Sequence, residues 1–501
     1  TQQMCSFWLY PFYALFRLIL GSNNGMILAF RILYVIFQLF ISGYLYGKLK
    51  KFGYISFLPI FFYLLSTAFN INSLSYNTMA NSALIALVVT LVMLDTPDWK
   101  GCICCGIFAS ILVMANPYAV FAYILYGIAC AAATLILKKS NKEIPVSLRF
   151  ATFFKMSITA AGVLVVFLLF TFWHATLERI MKNLPYIIGD QEHVQRWGVK
   201  ISDYFRYFKE YYKGAVLVPI TVSISASFDR ERVKHGAVYM GLAALAVIPY
   251  MIYHGVISDY APINLVTVPI CFLGLVAYVV SKNRLSRIFY IWYVPAMIYP
   301  FIVQITSNTG PLAVSAGFMT AGAAAVILMA SWAMEQESKL VKEITYGIVF
   351  AQLIMMLFLR VTYVWADAPI PELTAKVDRG PAKGLYTTEE TAQYYEEMFD
   401  DIDTLNIKDD DGFLVIGSEP MLYLYADCKV ASYSTWQVYT NETRLYRYYE
   451  IHNGEGRFPN VVYCADADES IFDSIFVEKL LLPMGFEWKQ LQHGIAFYLP
   501  K

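Results

Sequence analysis

YISFLPIFFYLLSTAF (54–69), NINSLSYNTMANS (70–82) and ALIALVVTLVML (83–94) place two apolar runs around an uncharged polar insert. Each run is the right sort of sequence for a helix dissolved in lipid. The insert carries four Asn, three Ser and one Thr. It is longer than a plain connection of about 2–6 residues. Its last members, Thr78, Asn81 and Ser82, fall inside the first turn of the following run. Polar groups at membrane depth are costly unless they face a partner or a cavity. The insert is therefore either a capped polar turn, with Asn77 or Thr78 as the cap, or the lip of a site.

Composition identifies the solvent. Hydrophobic residues make up 58% of the 501, charged residues 15%, and mean hydropathy is +0.50; soluble domains carry about 25% charged residues. The net charge of zero says nothing about partners, because the charges are unevenly placed; no nucleic-acid partner is expected. Apolar runs of spanning length, about 17–25 residues, fill 26–365, whereas 366–501 is polar and locally acidic. The expected fold is a polytopic α-helical membrane bundle followed by a small extracytoplasmic α/β domain. Its parts are an external interfacial segment (1–25), a transmembrane domain (26–365) with an external amphipathic segment (174–213), and the α/β domain (366–501).

Twelve runs are expected to span: 26–46, 54–71, 78–94, 101–116, 118–137, 153–173, 214–228, 236–254, 260–280, 287–305, 311–333 and 344–364. Short loops decide their orientation. Lys48, Lys50 and Lys51, then Lys138, Lys139, Lys142 and Arg149, then Arg230, Arg232 and Lys234, then Lys282, Arg284 and Arg287 fall on alternate connections. The opposite short loops, 72–77, 116–117, 255–259 and 306–310, hold no Lys or Arg. The basic side is read as cytoplasmic, in a plasma membrane. The amino-terminal segment, the insert, 174–213 and the carboxy-terminal domain are then external. Because the chain starts at Thr1 with the first run directed inward, a further helix upstream is expected.

The external groups are the candidates for chemistry. Gln2 and Gln3 begin the chain. Tyr76 and Asn77 lie in the insert. At Asn116-Pro117-Tyr118 a proline frees backbone groups between two runs. The segment 174–213 interleaves basic residues, among them Arg179, Lys182, Arg196 and Lys200, with Tyr and Phe. It reads as an interfacial helix that either grips phosphate or simply snorkels to lipid headgroups. His254, Asp259 and Tyr260 complete the rim. Arg31 lies five residues into the first run, and such a residue faces a partner or snorkels from a helix end. Arg360, beside Tyr363 and Trp365, reads as a snorkelling anchor. Cys102, Cys104 and Cys105 lack a second ligand cluster for zinc and read as inert. Cys428 and Cys464 share the external domain, and their pairing is open.

FYALFRLILGSNNGMILAFRILYVIFQL (12–39), SLSYNTMANSALIAL (73–87) and MANPYAVFAYIL (114–125) resemble successive external turns of the multi-spanning C-type membrane glycosyltransferases. Their relatives include aminoarabinose lipid A transferases and protein O-mannosyltransferases. The resemblance covers about the first 215 residues and rests on loose motifs. It implies transfer of a sugar from a polyprenyl-phosphate carrier to a glycan, lipid or protein acceptor outside the membrane. Arg31, Tyr76, Asn77, Asn116, Tyr118, Arg179, Lys182, Arg196 and Lys200 would hold the donor headgroup and phosphate. Gln2, Gln3, His254, Asp259 and Tyr260 would line the acceptor side. The chain departs from the pattern in one respect: no Asp or Glu precedes Asp95, and Tyr76-Asn77 stands where a second acid is often found. The catalytic acid is expected upstream of Thr1. No cofactor is read from the chain, although the resemblance leaves a divalent metal open.

In the carboxy-terminal part, helices are expected at 387–406 and 469–483 and strands at 413–417, 421–426, 460–465 and 495–500. The acidic run 400–411 lacks the oxygen spacing of a calcium loop. A transporter or lipid flippase remains an alternative, as does a non-catalytic membrane protein with an external binding domain. The first of these would be expected to show related halves with helices broken in matching places, and none is evident.

Overall fold

The computed structural model describes the chain except residues 1, 68–70, 140–142, 189–195, 258–262, 308–314, 363, 365–366, 437, 439–442, 453–457 and 501, and the side chains at 2–3, 137–139, 187–188, 315 and 443. Among the described residues nine helical stretches are long and apolar enough to cross a membrane: Met26–Leu65, Tyr76–Met93, Ala119–Ile136, Phe150–His174, Gly236–Ile257, Ile263–Val280, Ser286–Thr306, Ala316–Glu335 and Lys339–Thr362. Met26–Leu65 covers two of the expected runs. The shorter helices Trp99–Ala115 and Lys213–Phe228 fall on two more, so every run carries a helix. The chain divides into two compact units. One holds Thr1–Leu9, Arg31–His174 and Asp190–Ile370; the other holds Tyr10–Phe30, Ala175–Gly189 and Pro371–Lys501.

The first unit is built around Ser315–Glu335, a helix of small residues whose described side chains are almost all buried. Small residues allow helix axes to approach closely where lipid offers no hydrophobic drive. A Cβ at Gly274 would collide with Ala325, which explains the close crossing of Ile263–Val280 on this helix. The perimeter is apolar instead of polar: Leu135, Ile136, Leu164, Val165, Leu169 and Trp173 are exposed, as a lipid solvent requires. Two of the basic connections come together. Lys51, Arg284 and Arg287 line one pocket, and Arg287 bonds Asp95 at 3.1 Å.

The second run is helical over only part of its length. The connection into it turns at Gly53 (φ 62°), after Leu49. Phe57–Leu65 then makes a helix of only nine residues, roughly 14 Å against a hydrocarbon core of about 30 Å. Irregular backbone at such depth survives only where protein satisfies it. Arg360 does this. Its guanidinium donates to the Leu64 carbonyl, to Thr67 Oγ1 at 3.0 Å and to Asn72 Oδ1 at 2.8 Å. Tyr34 also reaches Thr67, at 3.3 Å. Arg360 is thus turned inward to hold a broken span, not out toward an interface; Tyr363 and Trp365 lie outside the described residues. The next helix starts with a capping box in which Ser75 accepts from Thr78 N and Thr78 Oγ1 accepts from Ser75 N. The cap is Ser75, with Thr78 as its reciprocal partner.

The second unit centres on a five-stranded sheet in the order 429–430, 412–416, 461–465, 494–498, 487–490. The first three strands run parallel and the last two pair antiparallel. The expected helix at 387–406 forms as Glu389–Asp403. MLYLYA (421–426), expected as a strand, is a helix following Pro420. The expected helix at 469–483 is instead a chain of short turns, Glu469–Asp473, Val477–Leu481 and Leu482–Met484. Both amino-terminal and mid-chain segments are woven in. Arg17 pairs with Asp427 at 2.6 Å, Asn23 donates to Leu424 O, and the Gly25 and Ile27 amides bond Gly380 O and Pro381 O. Tyr186 accepts from Arg444 at 2.7 Å and packs between Tyr433 and Tyr448.

Candidate functional site

Within the first unit, the helices Tyr76–Met93, Trp99–Ala115, Ala119–Lys139, Phe150–His174 and Val294–Thr306 enclose a groove of about 560 Å³. Its walls are Leu, Val, Ile, Ala, Met, Pro and Tyr, and no charged side chain or amide lines it. Leu125, Tyr290 and Ile298, on its rim, are exposed, so the groove opens sideways to where acyl chains would lie. Between Tyr290 and Ile302 it runs roughly 18 Å along the bundle. Pro117 is responsible for one end: it stops the apolar run and leaves Asn116 as the residue that closes Trp99–Ala115. Asn116 Nδ2 donates to the Tyr299 hydroxyl at 3.4 Å, and Tyr299 is part of the groove wall. An expected headgroup residue is thus bonded to one residue of the apolar groove wall.

The other expected site residues are dispersed. Tyr76 and Asn77 occupy the first turn of Tyr76–Met93, both half-buried. Tyr118, half-buried, follows Pro117. Arg31 is exposed on Met26–Leu49. Arg196 is exposed at the start of Trp197–Tyr207. Lys200 is buried, with Nζ bonded to Ser307 O at 2.5 Å and Ile305 O at 3.3 Å. Burial holds its ammonium pKa below the usual lysine range. Lys200 is better described as a pin that fastens Trp197–Tyr207 to the end of Val294–Thr306 than as a free phosphate grip. Tyr204 adds a bond to Pro300 O and stacks on Phe301. His254 is buried in a π-helical turn against Tyr250, and among the described residues its Nδ1 has no hydrogen-bond partner. Arg179 and Lys182 belong to the second unit, where Lys182 pairs with Glu178 at 3.2 Å. Asp259 and Tyr260 lie outside the described residues, as do the side chains of Gln2 and Gln3.

Among the described residues no group of three or more His, Cys, Asp or Glu is placed to hold a metal ion. Cys428 and Cys464 are both free thiols. Much of the acidic face is committed to structure. Arg379 gathers Glu396, Asp400 and Asp403. Asp401 accepts from Tyr463, Gln492 N and His493 N.

A second feature of the second unit was missed because it joins residues distant in sequence. Glu419 and Asp466 follow the carboxyl ends of the parallel strands 412–416 and 461–465, with Tyr394 bonded to Asp466 at 3.0 Å. Burial, then the Asp466 charge, pushes the Glu419 carboxyl up to about 7. In the unfolded chain this group ionises near its ordinary value of 4.5. Stability therefore falls as pH rises from there through about 7, where the folded form must also give up its proton. Glu419→Gln removes the penalty. Its expected effect on the full chain is a rise of a few degrees in the second unit's melting midpoint at pH 8, with no change at pH 4, followed by near-UV circular dichroism.

Comparison with protein-family models, curated proteins and solved structures gives no match.

Proposed function

We propose that this chain is an integral membrane glycosyltransferase that moves a sugar from a polyprenyl-phosphate carrier to an acceptor outside the cytoplasm. One observation carries the reading: the charge-free groove, open to lipid, with Asn116 bonded to its wall residue Tyr299. A long apolar carrier needs such a slot for its chain and polar groups at one end for its headgroup. Asn116 and Tyr118 would orient the phosphate and sugar, with Tyr76 and Asn77 on the neighbouring helix. Arg31 and Arg196 would supply cationic charge. In the reaction the acceptor hydroxyl oxygen attacks the anomeric carbon, the bond from that carbon to the phosphate oxygen breaks, and the phosphate leaves with the electron pair. A carboxylate takes the acceptor proton, and cations and hydrogen-bond donors favour the leaving phosphate.

The topology is consistent with this reading. Residues 10–30, 175–189 and 371–501, which the loop charges put on one side, form one compact unit. We take the chain as a twelve-span plasma-membrane protein whose carboxy-terminal domain faces outward.

The test is sugar transfer by the full-length protein in liposomes from a polyprenyl-phosphate donor. Asn116→Ala is expected to lower kcat/KM by about 10–100-fold, the loss of one or two hydrogen bonds. Tyr299→Phe is expected to lower it by a smaller factor. Carrier movement between leaflets without any sugar transfer would favour a flippase instead.

A further inference from the structure

At the other, basic end of the first unit a separate pocket of about 340 Å³ is lined by Lys51, Arg284 and Arg287 together with Phe52, Val92, Met93, Leu285, Ser286 and Ile288. Three connections build it: the turn after Met26–Leu49, the end of Tyr76–Met93, and the hairpin after Ile263–Val280. The hairpin is rigidly held. Glu335 accepts from Ser281 Oγ at 2.7 Å and from the Lys282 and Asn283 amides at 2.7 and 2.9 Å. With those backbone donors occupied, the side chains of Arg284 and Arg287 are what the hairpin offers. Arg284 bonds one carbonyl, Val279 O, at 3.0 Å and stacks over Tyr278. Arg287 bonds Leu94 O and Asp95. Asp95 is largely exposed, and among the described residues the pocket lining itself contains no Asp or Glu.

Three cations over an apolar floor, at the level where apolar helices end, form a mixed surface. A free anion would use only the cations. The floor of Val92, Met93, Leu285 and Ile288 suits the glycerol backbone and first methylenes of a lipid. Guanidinium groups match phosphate oxygens bidentately, and basic pockets between helices on the cytoplasmic side are suited to anionic headgroups. We infer that this pocket binds the phosphodiester headgroup of an anionic phospholipid from the leaflet on the basic side of the bundle. It shares no residue with the groove, so it stands or falls independently of the transferase reading.

The experiment uses the full-length protein, delipidated in detergent, re-exposed to phosphatidylglycerol or phosphatidylcholine, and weighed intact by native mass spectrometry. The wild type is expected to retain one phosphatidylglycerol in preference to phosphatidylcholine. Lys51→Gln combined with Arg284→Gln is expected to lower that retention at least tenfold. Arg287 is left in place because it also bonds Leu94 and Asp95. The control pair Lys50→Gln with Lys339→Gln removes the same charge from outside the pocket and is expected to change nothing. Lys51→Arg with Arg284→Lys keeps the charge and is expected to keep the lipid, which separates binding from folding. Equal retention by the wild type and the Gln pair would overturn the assignment. So would equal loss in the control pair, or displacement of the lipid by millimolar inorganic phosphate, which would mark a plain anion site.

Discussion

Ala122→Trp is expected to reduce sugar transfer from a polyprenyl-phosphate donor at least 100-fold, while the protein still folds and inserts. Ala122 lies on the groove wall opposite the Val294–Thr306 helix and is only partly buried. An indole there would occupy the space the carrier chain needs. A hundredfold loss corresponds to about 2.7 kcal/mol of lost transition-state binding. Overpacking a closed core would itself cost about 1–3 kcal/mol, but the groove already holds about 560 Å³ of open space for the ring. The loss should therefore appear in donor KM and turnover, with the melting temperature nearly unchanged. Ala129→Ser, a small change on the same wall, is expected to leave activity within about twofold. Kinetics in liposomes with a titrated donor, beside a melting curve of each variant, separate the two effects.

Arg360→Met is expected to lower stability by roughly 3 kcal/mol, since it removes hydrogen bonds from a charged donor to one buried and two half-buried acceptors. The Leu64 carbonyl, Thr67 and Asn72 would be left beside the broken end of Phe57–Leu65. Lipid supplies no replacement donors. Arg360→Lys restores the charge without the fork and should recover less than half of the loss. Arg31→Ala, at an exposed position, is expected to change stability by no more than about 0.5 kcal/mol while lowering donor affinity. Thermal unfolding of the detergent-solubilised protein measures all three.

The helices were legible because lipid-soluble helices need long apolar runs. A proline between two apolar runs drew attention to Asn116, which is bonded to the groove wall. Its partner Tyr299 was not legible, since 183 residues separate them. Arg360 was misread for the same reason. Its acceptors at 64, 67 and 72 belong to a span that looks continuous by hydropathy, and only the fold shows that the helix stops at Leu65. Ser75 was passed over as a cap because Thr78 stands where the usual signature has Glu or Gln. MLYLYA alternates like a strand, and short apolar runs do not distinguish strand from helix; Pro420 in front of it is the signal for a helix start. The edge strand Glu487–Gln490 went unnoticed because all four of its residues are exposed, leaving no buried face to set a pattern.

The most direct test is photo-crosslinking with a polyprenyl phosphate that carries a diazirine along its chain, followed by peptide mapping of the full-length protein in liposomes. Labels are expected on 112–129 and 290–302, and Ala122→Trp should abolish them. Labels spread evenly over the exposed perimeter helices, or equal labelling in the tryptophan variant, would contradict a carrier chain lying in the groove.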